Sequence, residues 1–372
     1  MNWYPMKLLL AIVLIILTCG APIRAGVQTS TKRPFLMGFS SWPYGATPKA
    51  VNDTYRFIGA NADLILEHIE EGVPWSCALN KTPYPKSFVD KMEGRRGSRP
   101  KGVKLLLSLT ALNTGRSGLA DDIGVSGTQP VPAPLQGKKF NDPIIFRAYL
   151  DYCIWMVDLF KPDYLLTGIE ANELLNNNPN EWSNYQTFSR GIQKELRIRY
   201  PSLPIAESVT LHKLLDKSNR SLPDYAAKIK EFASRHDFFA VSFYPFFLGL
   251  HSKREFSEAL EQLSKFSDKR IGITETGHPA KPIVIKTYHL NLPSSPAEQD
   301  DYVRALLDQA QSHRYLFVTY WLWKDFDDLW NTFPDASKDL ARLWRDTGLV
   351  DENDGLRPAY SSWKAAFSKP HE

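Results

Sequence analysis

Eight short apolar runs, with helix-start signals in several of the segments between them, constrain this chain more than any other feature. They cover residues 35–42, 62–68, 103–110, 163–169, 203–210, 238–244, 270–275 and 315–321. Runs of this kind read as strands buried on both faces, as in a parallel sheet. Parallel neighbours need a helical crossover, and the intervening segments offer one. Thr47-Pro48, Asp142-Pro143 and Ser295-Pro296 each join an N-cap residue to a proline suited to the first helical position. Eight such units, with no internal repeat and no linker, predict an α/β fold: a single-domain (β/α)8 TIM barrel over residues 26–372. A doubly wound open sheet is the alternative, but no glycine-rich phosphate loop follows the first run.

Two of the runs stop at glutamate. Ile169-Glu170-Ala171-Asn172-Glu173 closes the fourth and Ile273-Thr274-Glu275-Thr276-Gly277 the seventh. In a barrel the C-terminal strand ends converge on the face that carries the chemistry. A charged residue closing a buried strand is costly to keep there without a task. Two carboxyl groups meeting on that face are the minimum equipment for cleaving a glycosidic bond, one ionised and one holding a proton. Glu275 is the candidate on the seventh run. On the fourth, Glu173 is expected to be the proton donor, with Glu170 either its rival or a neighbour that tunes it. Strand alternation cannot choose between them until the end of the strand is known.

The motifs carry a resemblance. Asn172-Glu173 and Glu275 match the pattern of clan A glycoside hydrolases, which are retaining (β/α)8 enzymes. The segment from Asp346-Thr347-Gly348-Leu349-Val350-Asp351 through Arg357-Pro358-Ala359-Tyr360 is similar to the tail that follows the eighth strand in many members. Phe243-Tyr244-Pro245-Phe246 and Glu275-Thr276-Gly277 look most like the family 53 endo-β-1,4-galactanases, with this chain an outlying member. The resemblance implies that Glu173 is the general acid/base and Glu275 the nucleophile. It implies that Tyr244 hydrogen-bonds the nucleophile, and that Trp321 or Trp323 forms an aromatic floor under the sugar. Asn172 would then grip the sugar 2-hydroxyl, an interaction that strengthens toward the transition state. The chain departs from the clan in one place. Many members carry an arginine on the second strand, where this sequence has Glu67-His68. His68 either takes over part of that role or is a satisfied core histidine.

A large core accounts for most of the 10 Trp, 16 Tyr and 20 Phe. The cluster Tyr320, Trp321, Trp323, Phe326 and Trp330 is denser than one buried strand requires, so one or two of its members are expected to be exposed for stacking on sugar faces. Trp42, Trp75 and Trp182 are further subsite candidates. Asp325, Asp327 and Asp328 would bind hydroxyls or simply solvate their loop.

Other classes fit less well. The first run ends Ser40-Ser41-Trp42 rather than in a His-x-His pair, which disfavours a metal-dependent hydrolase; no metal or cofactor is expected. No Gly-x-Ser-x-Gly elbow occurs, and a net charge of +4 without a basic tract gives no reason to expect nucleic acid. A non-catalytic carbohydrate-binding barrel is the serious alternative. The expected substrate is a β-linked oligo- or polysaccharide, with endo cleavage suggested by the long strand-end loops, and the expected state is a monomer.

Residues 1–25 read as an export signal. Lys7 precedes an apolar run over 8–17 that is too short to span a bilayer, and Ala21 and Ala25 offer cleavage points. This implies a secreted or periplasmic protein without stable membrane association. Lipid anchoring at Cys19 is the weaker possibility, because Thr18 precedes it. Cys77 and Cys153 would form one disulfide or remain two buried thiols.

Overall fold

All eight expected strands form, and they close on themselves. The computed structural model describes residues 31–216, 221–285 and 290–372; the export signal and Cys19 lie outside them. The chain divides into Met1–Thr31, of which only the last residue is described, and Lys32–Glu372. The second unit holds β1 (Leu36–Ser40), β2 (Leu64–Ile69), β3 (Lys104–Leu109), β4 (Tyr164–Leu166), β5 in two pieces (Ile205–Ala206 and Val209–Thr210), β6 (Phe239–Phe243), β7 (Ile271–Thr276) and β8 (Phe317–Tyr320). Neighbours pair in parallel. The order runs from the first piece of β5 through β4, β3, β2, β1, β8, β7 and β6 to the second piece of β5. The two ends of the sheet are therefore one strand, and the sheet is a closed barrel.

The break in β5 holds Glu207, 1% exposed. Its carboxyl accepts from Tyr185 Oη at 2.6 Å, Gln193 Nε2 at 3.2 Å, Thr167 Oγ1 at 3.4 Å and Ser189 Oγ.

Among the described residues, the helices that follow the strands around the barrel are α1 (Pro48–Asn61), α2 (Lys86–Ser98), α3 (Pro143–Phe160), α4 (Trp182–Arg199), α5 (Leu222–Ser234), α6 (Lys253–Glu261), α7 (Pro296–Ser312) and α8 (Pro358–Phe367). The three expected N-caps form, with Thr47, Asp142 and Ser295 side chains accepting from Ala50, Ile144 and Glu298 amides. Among the described residues no helix is long and apolar enough to cross a membrane. Cys77 and Cys153 are buried and unpaired.

The core sorts into two layers, and the sorting follows the two-residue period of a strand. Leu36, Leu64, Leu66, Leu106, Leu166, Phe238, Ala240 and Phe317 plug the barrel interior. Met37, Ile65, Ile69, Leu105, Leu107, Leu165, Val241, Ile273 and Val318 pack outward against the helices. Continuing each inward row past the plug reaches the mouth at Trp42 on β1, His68 and Glu70 on β2, Ser108 on β3, Ser242 and Tyr244 on β6, and Trp321 on β8. Glu67 belongs to the outward row. It is 1% exposed, receives Arg95 Nε at 2.7 Å, Tyr55 Oη at 2.8 Å and Ser41 Oγ at 2.9 Å, and ties β2 to its helical layer.

β7 departs from this regularity. Ile273 pairs with Val241, but Glu275 pairs with Ser242, so Thr274 is one residue more than β6 can match. Such a bulge shifts the alternation by one position. Ile273 faces the helices; regular alternation would send Glu275 the same way, and the extra residue turns it to the mouth instead.

Candidate active site

Glu275 lies at the mouth with 6% of its surface exposed. Tyr244 Oη donates to its Oε2 at 3.4 Å. Its Oε1 has no hydrogen bond and stands 3.4 Å from His68 Nδ1, an ion-pair contact rather than a formed bond. Burial pushes its carboxyl up to about 7 against the pull of His68, and repulsion from Glu170 and Glu70 adds to the rise.

His68 is not an ordinary core histidine. Its Nε2 lies 3.0 Å from Glu70 Oε2, so the imidazole bridges two carboxyl groups. Burial opposes the charged ring, yet Glu275 and Glu70 raise its pKa above the usual value. Glu70 in turn receives Arg116 Nη1. Burial works against the Glu70 charge, but Arg116 and His68 outweigh it and hold the carboxyl down at about 2.

Arg116 comes from the loop after β3 and is 6% exposed. Its backbone is left-handed, φ +48°. Nη1 also donates to Asn113 O at 3.0 Å, and Nη2 reaches Glu170 Oε2 at 3.4 Å. The site therefore holds an arginine, supplied from the loop after β3 rather than from the second strand.

Glu170 itself sits just past β4 at φ +50°. A non-glycine residue in that region costs about 1–2 kcal/mol, and such strain collects at functional sites. Ser242 Oγ donates to Glu170 Oε1 at 2.8 Å, and the Glu170 amide donates to Ser208 Oγ at 2.8 Å. The charges acting most strongly on Glu275 are those of His68, Glu170, Glu70 and Arg116. Ser242 and Arg116 thus tie Glu170 into the side-chain cluster that holds Glu275.

Glu173 occupies a different position. It begins the short helix Glu173–Asn177, where Oε1 accepts from Thr210 Oγ1 at 2.8 Å and Oε2 from Asn176 Nδ2 at 3.4 Å. It contacts Thr210, Asn176 and His212, on the β5 side of the mouth. Burial raises its pKa.

Asn172 is a correction to the sequence reading. Its side chain is fully buried. It donates to Tyr225 Oη at 2.7 Å and Thr210 Oγ1 at 2.9 Å, and accepts from Thr210 N at 2.8 Å. It pins the helix Glu173–Asn177 to β5 and has no face left for a sugar hydroxyl.

The tryptophans divide in the same way. Trp42 and Trp321 are half-buried at the mouth, ring centroids 5.9 Å apart. His68 meets Trp321 edge-on at 5.1 Å and 84°. Trp323 is instead a core residue, stacked on Phe57 at 4.4 Å with Nε1 donating to Thr54 Oγ1. Trp75 is fully buried and donates to Ala120 O; Trp182 packs between Tyr185 and Phe232. Of the C-terminal cluster, Tyr320 and Phe326 are buried, while Trp330 is half-buried beneath Lys338, Arg342 and Arg345.

Asp325 solvates nothing: it is 1% exposed and holds Arg357 through two hydrogen bonds of 2.8 and 2.6 Å. Asp325, Asp327 and Glu352 come within 4.8 Å of one another. Each is already engaged by a cation, Arg357, Arg345 and Lys281 respectively.

Of two cavities among the described residues, neither is lined by Glu170 or Glu275. One of about 620 Å³ opens at the strand starts, bordered by Tyr164, Phe238 and Arg270, opposite the chemical face. The other, about 240 Å³, borders Glu70, Glu71 and Asn113 beside the cluster.

Sequence reading did not single out Glu70, Arg116, Ser242, His212 or Phe247. Glu70 and Ser242 were recoverable from strand alternation; Arg116 carried no local signal.

A family model described as "Glycosyl hydrolase family 53" matches residues 160–361, more than half of the chain and the part that holds Glu170 and Glu275. No curated protein matches. Among solved structures, an exo-β-1,4-mannosidase from Opitutaceae bacterium strain TAV5 is 12% identical, with a TM-score of 0.62 over 90% of this chain and 60% of that one. Native xylanase 10B from Thermotoga maritima is 12% identical, with a TM-score of 0.56 over 90% and 95%. A GH53 catalytic domain from Ignisphaera aggregans is 15% identical, with a TM-score of 0.55 over 91% and 97%. The chain spans only 60% and 50% of the first two structures matched, the second a β-glucuronidase from an uncultured Clostridium. At these identities the likeness establishes the barrel fold.

Proposed function

The chain belongs to glycosyl hydrolase family 53, and from that premise we propose that it cleaves β-linked oligo- or polysaccharides with retention, Glu275 attacking and Glu170 donating the proton. One observation supports the choice of pair: Glu170 and Glu275 belong to one side-chain cluster, Glu170 joined to it through Ser242 and Arg116, and Glu275 through His68 and Tyr244.

Glu275 presents Oε1, free of hydrogen bonds, to the anomeric carbon. The imidazolium of His68 and the Tyr244 hydroxyl favour its ionised form. Glu170 protonates the departing glycosidic oxygen and then, as carboxylate, draws a proton from the water that releases the glycosyl-enzyme. Arg116 holds Glu170 in place through both steps. Trp42 and Trp321 supply apolar faces beneath the sugar. Export of the protein, supported by the apolar run over residues 8–17, would put the enzyme where polymeric glycans are met.

A screen of β-galactan, β-1,3-glucan, mannan and xylan, with products sized by chromatography, tests the activity. Glu275→Ala is expected to lose turnover and to regain it with azide, giving a glycosyl azide of inverted configuration. A folded Glu275→Ala that azide does not rescue would remove the nucleophile assignment. Turnover by neither the wild type nor any variant, with sugar still bound, would make this a binding barrel.

A further inference from the structure

The barrel mouth continues past the acid pair into a second group of side chains that the two-carboxylate reaction does not use. Glu173 keeps 12% of its side chain exposed. His212 Nε2 lies 3.7 Å from Glu173 Oε1, too far for a direct hydrogen bond. The imidazole is held neutral: burial drops its pKa to about 4, and Lys213 adds to the fall. Its Nδ1 is buried without a partner, so the proton belongs on Nε2, facing the carboxylate. A neutral N–H and a carboxylate oxygen at that spacing leave room for one hydroxyl to bridge them.

Beside this pair stands Phe247, in the short turn that follows β6, with 41% of its surface exposed. Its ring lies 5.0 Å from the His212 ring at 37°, and is backed by Phe246 at 4.6 Å and Trp344 at 6.2 Å. Tyr244, which reaches Glu275, meets Phe247 edge-on at 6.4 Å and 89°. A continuous ridge therefore runs from Glu275 through Tyr244, Phe247 and His212 to Glu173. A fixed apolar face next to convergent polar atoms is the chemistry of a sugar site.

We propose that Glu173, His212 and Phe247 form the subsite for the leaving-group sugar, and that it takes a neutral hexopyranose and rejects a uronic acid. The inference rests on the Glu170–Glu275 assignment. The sugar under attack lies over Trp42 and Trp321, between β8, β1 and β2, and its departing oxygen points to Glu170 on β4. The next sugar must then extend past Glu170 over β5 and β6, where these three residues stand. Its apolar face covers Phe247, and its hydroxyls meet Glu173 and the His212 N–H. A second carboxylate against Glu173 would add repulsion between like charges in a partly dry site, which is how such a subsite excludes acidic sugars.

The test compares β-1,4-galactotetraose, which fills the subsite, with p-nitrophenyl β-1,4-galactobioside, whose leaving group carries no sugar. Phe247→Ala and Glu173→Gln are expected to lower the ratio of kcat/KM for the tetraose over the aryl glycoside at least tenfold. Equal losses on both substrates, or none on either, would overturn the subsite. Binding of the tetraose by calorimetry is read in parallel in Glu275→Gln and Glu275→Gln/Phe247→Ala. At least a fivefold weakening supports the subsite even without turnover, and unchanged affinity overturns it. Failure of the catalytic pair shows separately, as Glu170→Gln or Glu275→Gln retaining wild-type hydrolysis.

Discussion

Replacing His68 with glutamine should move the acid limb of the activity profile. His68 Nδ1 stands 3.4 Å from Glu275 Oε1, and both side chains are nearly dry, 10% and 8% exposed. At that distance the attraction between imidazolium and carboxylate is about 5 kcal/mol at an effective dielectric of about 20. Glutamine can still donate a hydrogen bond, and relaxation of the site recovers a further part. The net loss is then about 1.5–3 kcal/mol, or roughly one to two pKa units at about 1.4 kcal/mol each. Glu275, already pushed up to about 7, would move to about 8–9. The sign follows from the role proposed for it: a nucleophile works ionised, so raising its pKa removes activity at low pH and restores it as pH rises. At pH 6 the ionised fraction, and with it kcat/KM, should fall about 10- to 100-fold. The assay is a kcat/KM profile from pH 4 to 10 on an oligosaccharide, with products read by chromatography. Because the acids titrate as a group, the limbs report apparent values for the cluster. An acid limb within about 0.3 unit of wild type would refute the electrostatic role and leave His68 only its packing against Trp321.

Deleting Thr274 should straighten β7 and return Glu275 to the helical side; turnover is expected to fall by more than about a thousandfold, with circular dichroism still showing a folded barrel. Glu275→Gln should be more thermostable than wild type, by about 3 °C near pH 8. The raised carboxyl means that the folded state holds the extra proton between about pH 4.5 and 7, so stability falls as pH rises through that window. Glutamine removes this slope, and a gain that does not grow with pH in calorimetric scans would contradict the reasoning. Arg357→Ala should cost about 3–5 kcal/mol at pH 8, because it strands the buried Asp325 charge. Asp325 already has its carboxyl pushed up to about 7 by burial against the pull of Arg357, and losing Arg357 raises it further, so the deficit in denaturant melts should shrink as pH falls from 9 toward 7.

Much of this architecture was legible in local patterns. Strand burial and helix starts are set by neighbours a few residues away, so the eight units and the caps at Thr47, Asp142 and Ser295 could be read along the chain. The same two-residue period carries Trp42, His68, Tyr244 and Trp321 to the mouth. Period alone fails where packing between elements decides exposure. Trp75, Trp182 and Trp323 look like Trp42 in sequence, yet each is enclosed by a helix or loop distant along the chain. Asn172 looks like a ligand and is a clamp.

The sequence by itself determined the barrel, its chemical face and the two segments that bring acids to it. Only the tertiary structure decided which acids meet. Glu275 faces the mouth because β7 carries one residue more than β6 can pair, a mismatch that exists only between strands. Glu170 joins the cluster around Glu275, while Glu173 bonds on the β5 side, because the chain leaves β4 through a left-handed turn stabilised by Ser208, Ser242 and Arg116 from three other elements. Both acids reach their places by breaking the regularity that positions their neighbours, and the contacts that sustain such breaks are long-range.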